Sequence, residues 1–202
     1  MKPLRRPKSS SRVQAEATKM VISYEPWKSA SGCAAGHELV QLSLPVLNAL
    51  GAGDLALARG ISSRDYTQYL VSNECRKVWK MRADQVEADS RDSIWITRLV
   101  VATQHGTIVG RAGFHGRPSE DGMVEIGYSI DPLYRRQGHA RAAVRILLDA
   151  AAGDPRVKTV RASIRPDNAP SMNLIKGFGF QIIGEQWDEE DGLELVLELP
   201  CN

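Results

Sequence analysis

Several absences narrow what this chain can be. No apolar run approaches the ~20 residues that a membrane span needs, and no secretory apolar core follows the start. The three cysteines, Cys33, Cys75 and Cys201, are odd in number and far apart. They build neither a disulfide framework nor a metal-ligand cluster, so no metal is expected and the thiols read as reduced, in a cytoplasmic protein. There is no G-x-x-x-x-G-K-[ST] phosphate loop and no G-x-G-x-x-G behind a strand, which removes the two commonest nucleotide fingerprints. A net charge of +2 is too small to imply a nucleic-acid partner by itself. No internal repeat is visible.

What remains is 202 residues, 43% hydrophobic and 25% charged, which suits one soluble globular domain with a substantial core. The opening "MKPLRRPKSSSRVQAEATKM" is rich in Lys, Arg and Ser, with Glu16 its one acid. It holds too little apolar surface to offset ordering entropy, which predicts a disordered basic head over 1–37 and a single domain over 38–202. The same composition fits a mitochondrial transit peptide, but Pro3 and Pro7 interrupt any amphipathic helix there.

Periodicity sketches the domain. "ELVQLSLP" (38–45) reads as a strand, "VLNALGAGDLALARG" as helix, turn, helix, and residues 64–88 as a helix whose aromatic stripe is core. From Ile94 the period becomes two: "IWITRLVVAT" and "TIVGRAGFHG" around a turn, then "MVEIGYSI" (123–130). A helix with Ala140, Val144, Leu147 and Leu148 on its apolar face follows, stopping near Gly153. "VKTVRASIR" is a strand, "NAPSMNLIKG" a helix, and "FGFQIIGEQW" and "LELVLEL" a hairpin around "DEEDG". Strands flanking a helix, with hairpins at both ends, predict a mixed α/β (α+β) sheet.

The stretch "YRRQGHARAA" (134–143) places charge and small residues at a helix start. Such a start leaves backbone N–H groups unpaired and carries partial positive charge, so strand, tight turn and helix make a natural phosphate seat. Gly138 brings the backbone close to an anion, Ala140 keeps the next approach clear, and Arg135, Arg136 and Arg141 add cationic charge.

Arg135-x-x-Gly138-x-Ala140 after "IDPLY" resembles the [RQ]-x-x-G-x-[GA] pyrophosphate loop of the GNAT superfamily of N-acetyltransferases. "NAPSMNLIKGFGF" (168–180) resembles that family's N-x-x-[SA]…G-F segment, and "EIGYSIDP" the strand beside the pantetheine arm. The likeness covers roughly Leu39 to Leu199 and is greatest to the ribosomal-protein-alanine and spermidine acetyltransferase subgroup. It implies a mostly antiparallel twisted sheet in which two neighbouring parallel strands, "MVEIGYSI" and "VKTVRASIR", splay apart. Acetyl-CoA, as co-substrate, would occupy the opening. Its pyrophosphate would meet the N–H groups of Gln137, Gly138, His139, Ala140 and Arg141, and its pantetheine the backbone from Tyr128 to Ile130. Asn168 and Ser171 would lie along the pantetheine, Ser171 also capping its helix. The acceptor would be a small-molecule or peptide amine, and the protein a monomer or homodimer.

Acyl transfer to an amine needs a base, an oxyanion donor and an acid for the leaving thiolate. Alternation puts Glu125 on one strand face with Gly127 and Ser129, which makes it the candidate base. The resemblance points to the Ile130 N–H as oxyanion donor. Many relatives carry a tyrosine acid in the second helix where this chain has Ile175, so Tyr128 or Ser171 must serve, or solvent. His115 could line the acceptor side. Asp188 belongs to an acidic turn that would attract an ammonium group. The alternative is a non-catalytic acyl-CoA sensor.

Overall fold

The computed structural model describes residues 23–201; the basic opening, residues 1–20, lies outside them. Seven strands form one sheet in the order β1-β2-β3-β4-β5-β7-β6. These are β1 (His37–Val40), β2 (Arg98–Ala102), β3 (Thr107–Phe114), β4 (Met123–Ile130), β5 (Thr159–Ile164), β6 (Gln181–Asp188) and β7 (Gly192–Pro200). Helices α1 (Leu44–Ala52), α2 (Leu55–Ser62) and α3 (Asn73–Ala88) come before β2. Helix α4 (His139–Gly153) links β4 to β5, and α5 (Ala169–Lys176) links β5 to β6.

The helices bury their apolar faces on opposite sides of the sheet. α4 buries Val144, Leu147 and Leu148 as expected, together with four alanines, against Val100, Ala112, Phe114 and Ile126. α1 and α3 bury Leu47, Leu50 and Trp79 against Leu99, Val101 and Ile108, so they cover only the β1–β3 part of their side. The same side of β4 to β7 is left open.

Every pair is antiparallel except β4 with β5. That parallel ladder is short: Met123, Val124 and Glu125 pair with Thr159, Val160 and Arg161. From Ile126 to Ile130, β4 continues against β3 alone. The two strands therefore part after Glu125, which is the splay the family resemblance implies.

Three expectations shift. The first strand ends at Val40, because Pro45 sits in the first turn of α1, a position where its missing N–H costs nothing. Residues 64–67 are not helical, and Gln68–Val71 form a 3-10 turn before Ser72 caps α3 through Cys75 N. Order also begins ahead of Glu38. Trp27 is buried and bridges Leu39 with both backbone bonds, at 3.0 and 2.9 Å.

The guanidinium of the fully buried Arg98 stacks on the Trp27 ring at 3.6 Å and donates to Glu25 O at 2.8 Å. Burial pushes its pKa down to about 9. A single tryptophan gave no periodic signal in the sequence, which hid this packing. Trp27→Ala should lower unfolding stability by about 3–5 kcal/mol, as for other buried large aromatics, read as a drop in the urea midpoint. A shift under about 0.5 kcal/mol, the size of a surface change, would place residues 23–37 outside the folded unit.

Candidate functional site

Beyond β4 the chain makes a tight turn that leaves a row of donors open. Buried Asp131 anchors it: the N–H donates to Val109 O at 2.9 Å, and the carboxylate accepts from Leu133 N at 3.0 Å and Thr67 Oγ1 at 3.1 Å. Arg136 (φ 63°) and Gly138 (φ 87°) are both left-handed, which curls successive N–H groups into a concave nest. Among the described residues, no backbone carbonyl accepts from the N–H groups of Gln137 to Arg141, and no side chain caps α4. The first helical bond runs from Ala142 N to Gly138 O at 3.0 Å. A Cβ on Gly138 would meet nothing within 4 Å, so glycine is needed there for its φ rather than for space.

The side chains around the nest divide their roles. Arg135 Nε donates to Ile130 O at 3.0 Å and clamps the strand end. Arg141 leans over the Phe178 ring at 5.5 Å. His139 Nδ1 lies 2.8 Å from His37 Nε2. The carbonyl of Ala35, 3.0 Å from His37 Nδ1, can only accept, so His37 carries its proton there and receives the His139 proton at Nε2. Burial, and then the neighbouring imidazole, lower the His139 pKa.

The register decides what faces the opening. Asp131 N bonds Val109 O, and His115 N bonds Glu125 O. Odd-numbered residues of β4 therefore bond β3, and the backbone groups of Tyr128 and Ile130 point the other way, into the splay. The Tyr128 side chain lies on the α4 side, its hydroxyl buried without a hydrogen-bond partner among the described residues. Burial raises its pKa, opposed by the adjacent Ser171, so the phenol keeps its proton at neutral pH. The cap of α5 is Asn168, whose Oδ1 accepts from Ser171 N at 3.2 Å. Ser171 therefore opens the helix without capping it. Ile175 is fully buried in the core.

On the open side of the sheet, Glu125, Gly127 and Ser129 share a face with His115 and Arg111 of the β3 arm. The absent side chain of Gly127 admits the His115 ring: a Cβ there would lie 2.7 Å from Nε2. The Glu125 carboxylate accepts from Ser163 Oγ at 2.7 Å and stands 3.9 Å from His115 Nδ1. Crowding by the surrounding protein lowers the His115 pKa, Glu125 raises it, and Arg82 and Arg111 lower it further. The imidazole is half exposed, which keeps it in reach of a ligand. Tyr69 OH and Ser129 Oγ share a 2.6 Å hydrogen bond, and burial pushes the Tyr69 pKa up to about 12.

The β6–β7 hairpin borders this cleft. Gln186 Nε2 donates to Ser163 Oγ and to Glu194 Oε2, both at 3.1 Å. Burial raises the Glu194 pKa, with Asp188, Asp191 and Glu125 adding to it against the Gln186 bond. The Asp188 carboxylate is taken up by the turn itself, accepting from Glu190 N and Asp191 N at 2.8 Å. Glu190 reaches Lys77 of α3 at 3.1 Å, so the turn meets the helix across the cleft mouth.

Tyr69, Ser163, Gln186 and Glu194 are additions to the site. The resemblance already sets β5 beside β4, but that Ser163, two residues from Arg161, reaches Glu125 depends on the register of the pair. Tyr69 sits in a stretch whose spacing imitates a core stripe. Among the described residues, no group of three or more His, Cys, Asp or Glu could hold a metal ion.

The sequence signature of the family described as acetyltransferase (GNAT) domain matches residues 46–181. The N-acetyltransferase YjdG of Bacillus subtilis, itself described as uncharacterized, is 33% identical over 82 residues, 41% of this chain and 49% of that protein. The matched stretch thus spans about half the length of that relative. Among solved structures, the ribosomal-protein-S5-alanine acetyltransferase of Vibrio fischeri shares the fold with a TM-score of 0.59 at 15% identity, over 83% of this chain and 94% of that one. The microcin C7 self-immunity acetyltransferase MccE, solved with acetyl-CoA and AMP, gives 0.60 at 14%, over 89% and 99%.

Proposed function

This chain belongs to the GNAT acetyltransferase family, and from that membership we propose that it transfers the acetyl group of acetyl-CoA to a primary amine of a small molecule or peptide. One observation carries the reading. The strand opening and the row of unpaired N–H groups are continuous, so one ligand with a pyrophosphate and an extended arm would engage both. The N–H groups of Gln137, Gly138, His139, Ala140 and Arg141 hold the pyrophosphate. Arg136 and Arg141 add charge, and Arg135 fixes the turn. Tyr128 offers its backbone groups to the pantetheine and Ile130 its N–H to the thioester oxygen, with Asn168 and Ser171 along the arm's other side.

On the open face Glu125 accepts the proton of the incoming ammonium, directly or through water, with Ser163 orienting the carboxylate and His115 beside it. The freed nitrogen forms its bond to the thioester carbon and gives up a second proton to water as the amide forms. The Ile130 N–H holds the negative oxygen as the carbonyl opens. As the carbon–sulfur bond breaks, the protonated Tyr128 hydroxyl supplies a proton to the thiolate, and water entering the strand opening as the product leaves restores it. Asp188 shapes the turn over the acceptor.

The test is calorimetric titration of acetyl-CoA into the protein, followed by a free-thiol assay over a panel of amines. Micromolar binding, about −8 kcal/mol, with amine-dependent thiol release is expected. Binding with no release for any amine would instead identify an acyl-CoA sensor.

A further inference from the structure

Glu194, Gln186, Ser163 and Glu125 form one hydrogen-bond chain on the open face, and the carboxylates at its two ends fix its direction. A carboxylate only accepts, so the group that meets Glu194 Oε2 at 3.1 Å is the amide nitrogen of Gln186. The same Nε2 stands 3.1 Å from Ser163 Oγ, which therefore accepts as well. An amide nitrogen carries two hydrogens, and both are now spent. A serine hydroxyl carries one, and that of Ser163 goes to Glu125 Oε1 at 2.7 Å. Arg161, the neighbour of Ser163 on this face, is bonded to Glu198 and takes no part.

The chain begins on the β6–β7 hairpin and ends on the base. We propose that Gln186 and Glu194 are positioning residues: they hold the Ser163 hydroxyl in the one orientation that donates to Glu125, and so keep that carboxylate aimed at the acceptor. Ser163 and His115 Nδ1 both face Oε1, and Oε2 makes no hydrogen bond among the described residues, so Oε2 is the atom that takes the ammonium proton. Without the Gln186 donor the Ser163 hydroxyl is free to turn, and Glu125 with it. The hairpin thereby acts on the chemistry as well as walling the cleft. The proposal deepens the transferase reading and rests on it.

The test is a double-mutant cycle on the full chain with acetyl-CoA and butylamine, benzylamine or a glycine-initiated tripeptide, whichever is fastest. Leucine at 186 keeps much of the side-chain volume and removes both donors. Gln186→Leu should lower kcat about 3- to 10-fold, the range of one hydrogen bond, with KM and acetyl-CoA affinity little changed. His115 of β3, Arg82 of α3, Arg161 of β5 and Glu194 of β7 surround Glu125, and all stay in this variant. The acid limb of the kcat/KM profile should move to higher pH, because a carboxylate that loses a donor takes up a proton more readily. In a Glu125→Gln background Gln186→Leu should change nothing further, since the chain then ends on no base. Gln186→Glu keeps the size but only accepts, so it competes for the Ser163 hydrogen and should cost more than leucine. Gln186 is exposed, and unchanged acetyl-CoA affinity verifies that each variant is folded. Equal losses in both backgrounds, a loss confined to KM, or no loss from either substitution at 186 would overturn the positioning proposal and leave the transferase reading standing. A Glu125→Gln protein as active as wild type would overturn it together with the base. Acetyl-CoA binding with no thiol release for any of the three amines would overturn the transferase reading as well.

Discussion

A Gly138→Glu protein should bind acetyl-CoA at least about 100-fold more weakly than the unmodified chain, an increment of about 2.7 kcal/mol. Two effects add. Gly138 has φ 87°, a left-handed conformation that costs a residue with a Cβ about 1–2 kcal/mol, so the nest would relax away from its concave form. The new carboxylate would then stand where phosphate charge must settle. Gly138→Ala separates the two. A Cβ there meets nothing within 4 Å, so alanine carries the backbone strain without charge or crowding and should weaken binding only about tenfold by the same strain figure. Equal, small effects from both variants would mean that the turn does not seat the pyrophosphate.

Binding should also depend on pH through His139. Its pKa lies below the ordinary imidazole value because of burial and of His37, with the Tyr134 ring edge-on beside it. Unliganded His139 is therefore neutral at pH 7. Phosphate charge nearby favours the cation and raises its pKa, so binding takes up protons. Affinity should then rise as pH falls through the imidazole range.

Much of this was legible in local sequence, and the rest failed for identifiable reasons. Gly138 and the arginines around it point to the open helix start that the structure shows, because the chemistry of a helix start is local. β4 could be placed to the residue, since "MVEIGYSI" alternates and Asp131-Pro132 stops it. The acceptor cleft was less accessible. Tyr69, Arg111, Ser163 and Gln186 come from four segments whose meeting depends on strand order and register, of which the family resemblance supplied only the β4–β5 pair. Trp27 was lost to compositional reading, because a basic, serine-rich opening runs into it without a break. His37 against His139 is a pairing across 102 residues; nothing short of the fold brings it together.

Glu125→Gln should lower kcat/KM for an amine acceptor by about 100- to 1,000-fold at pH 7, within the range for removing a general base. An amine arrives as its ammonium form and must lose a proton before its lone pair can attack. Glu125 is the carboxylate at the point where β4 and β5 part, held by Ser163 Oγ at 2.7 Å. Glutamine keeps the size and can still accept from Ser163, so the fold and the acetyl-CoA affinity should survive. The pH profile distinguishes a base from a structural group. As pH rises toward the pKa of the acceptor itself, more amine arrives already deprotonated, and the gap between the two proteins should narrow. A constant gap across pH would mean that Glu125 only positions the cleft, and His115, 3.9 Å away and with its pKa lowered, would become the base to replace next.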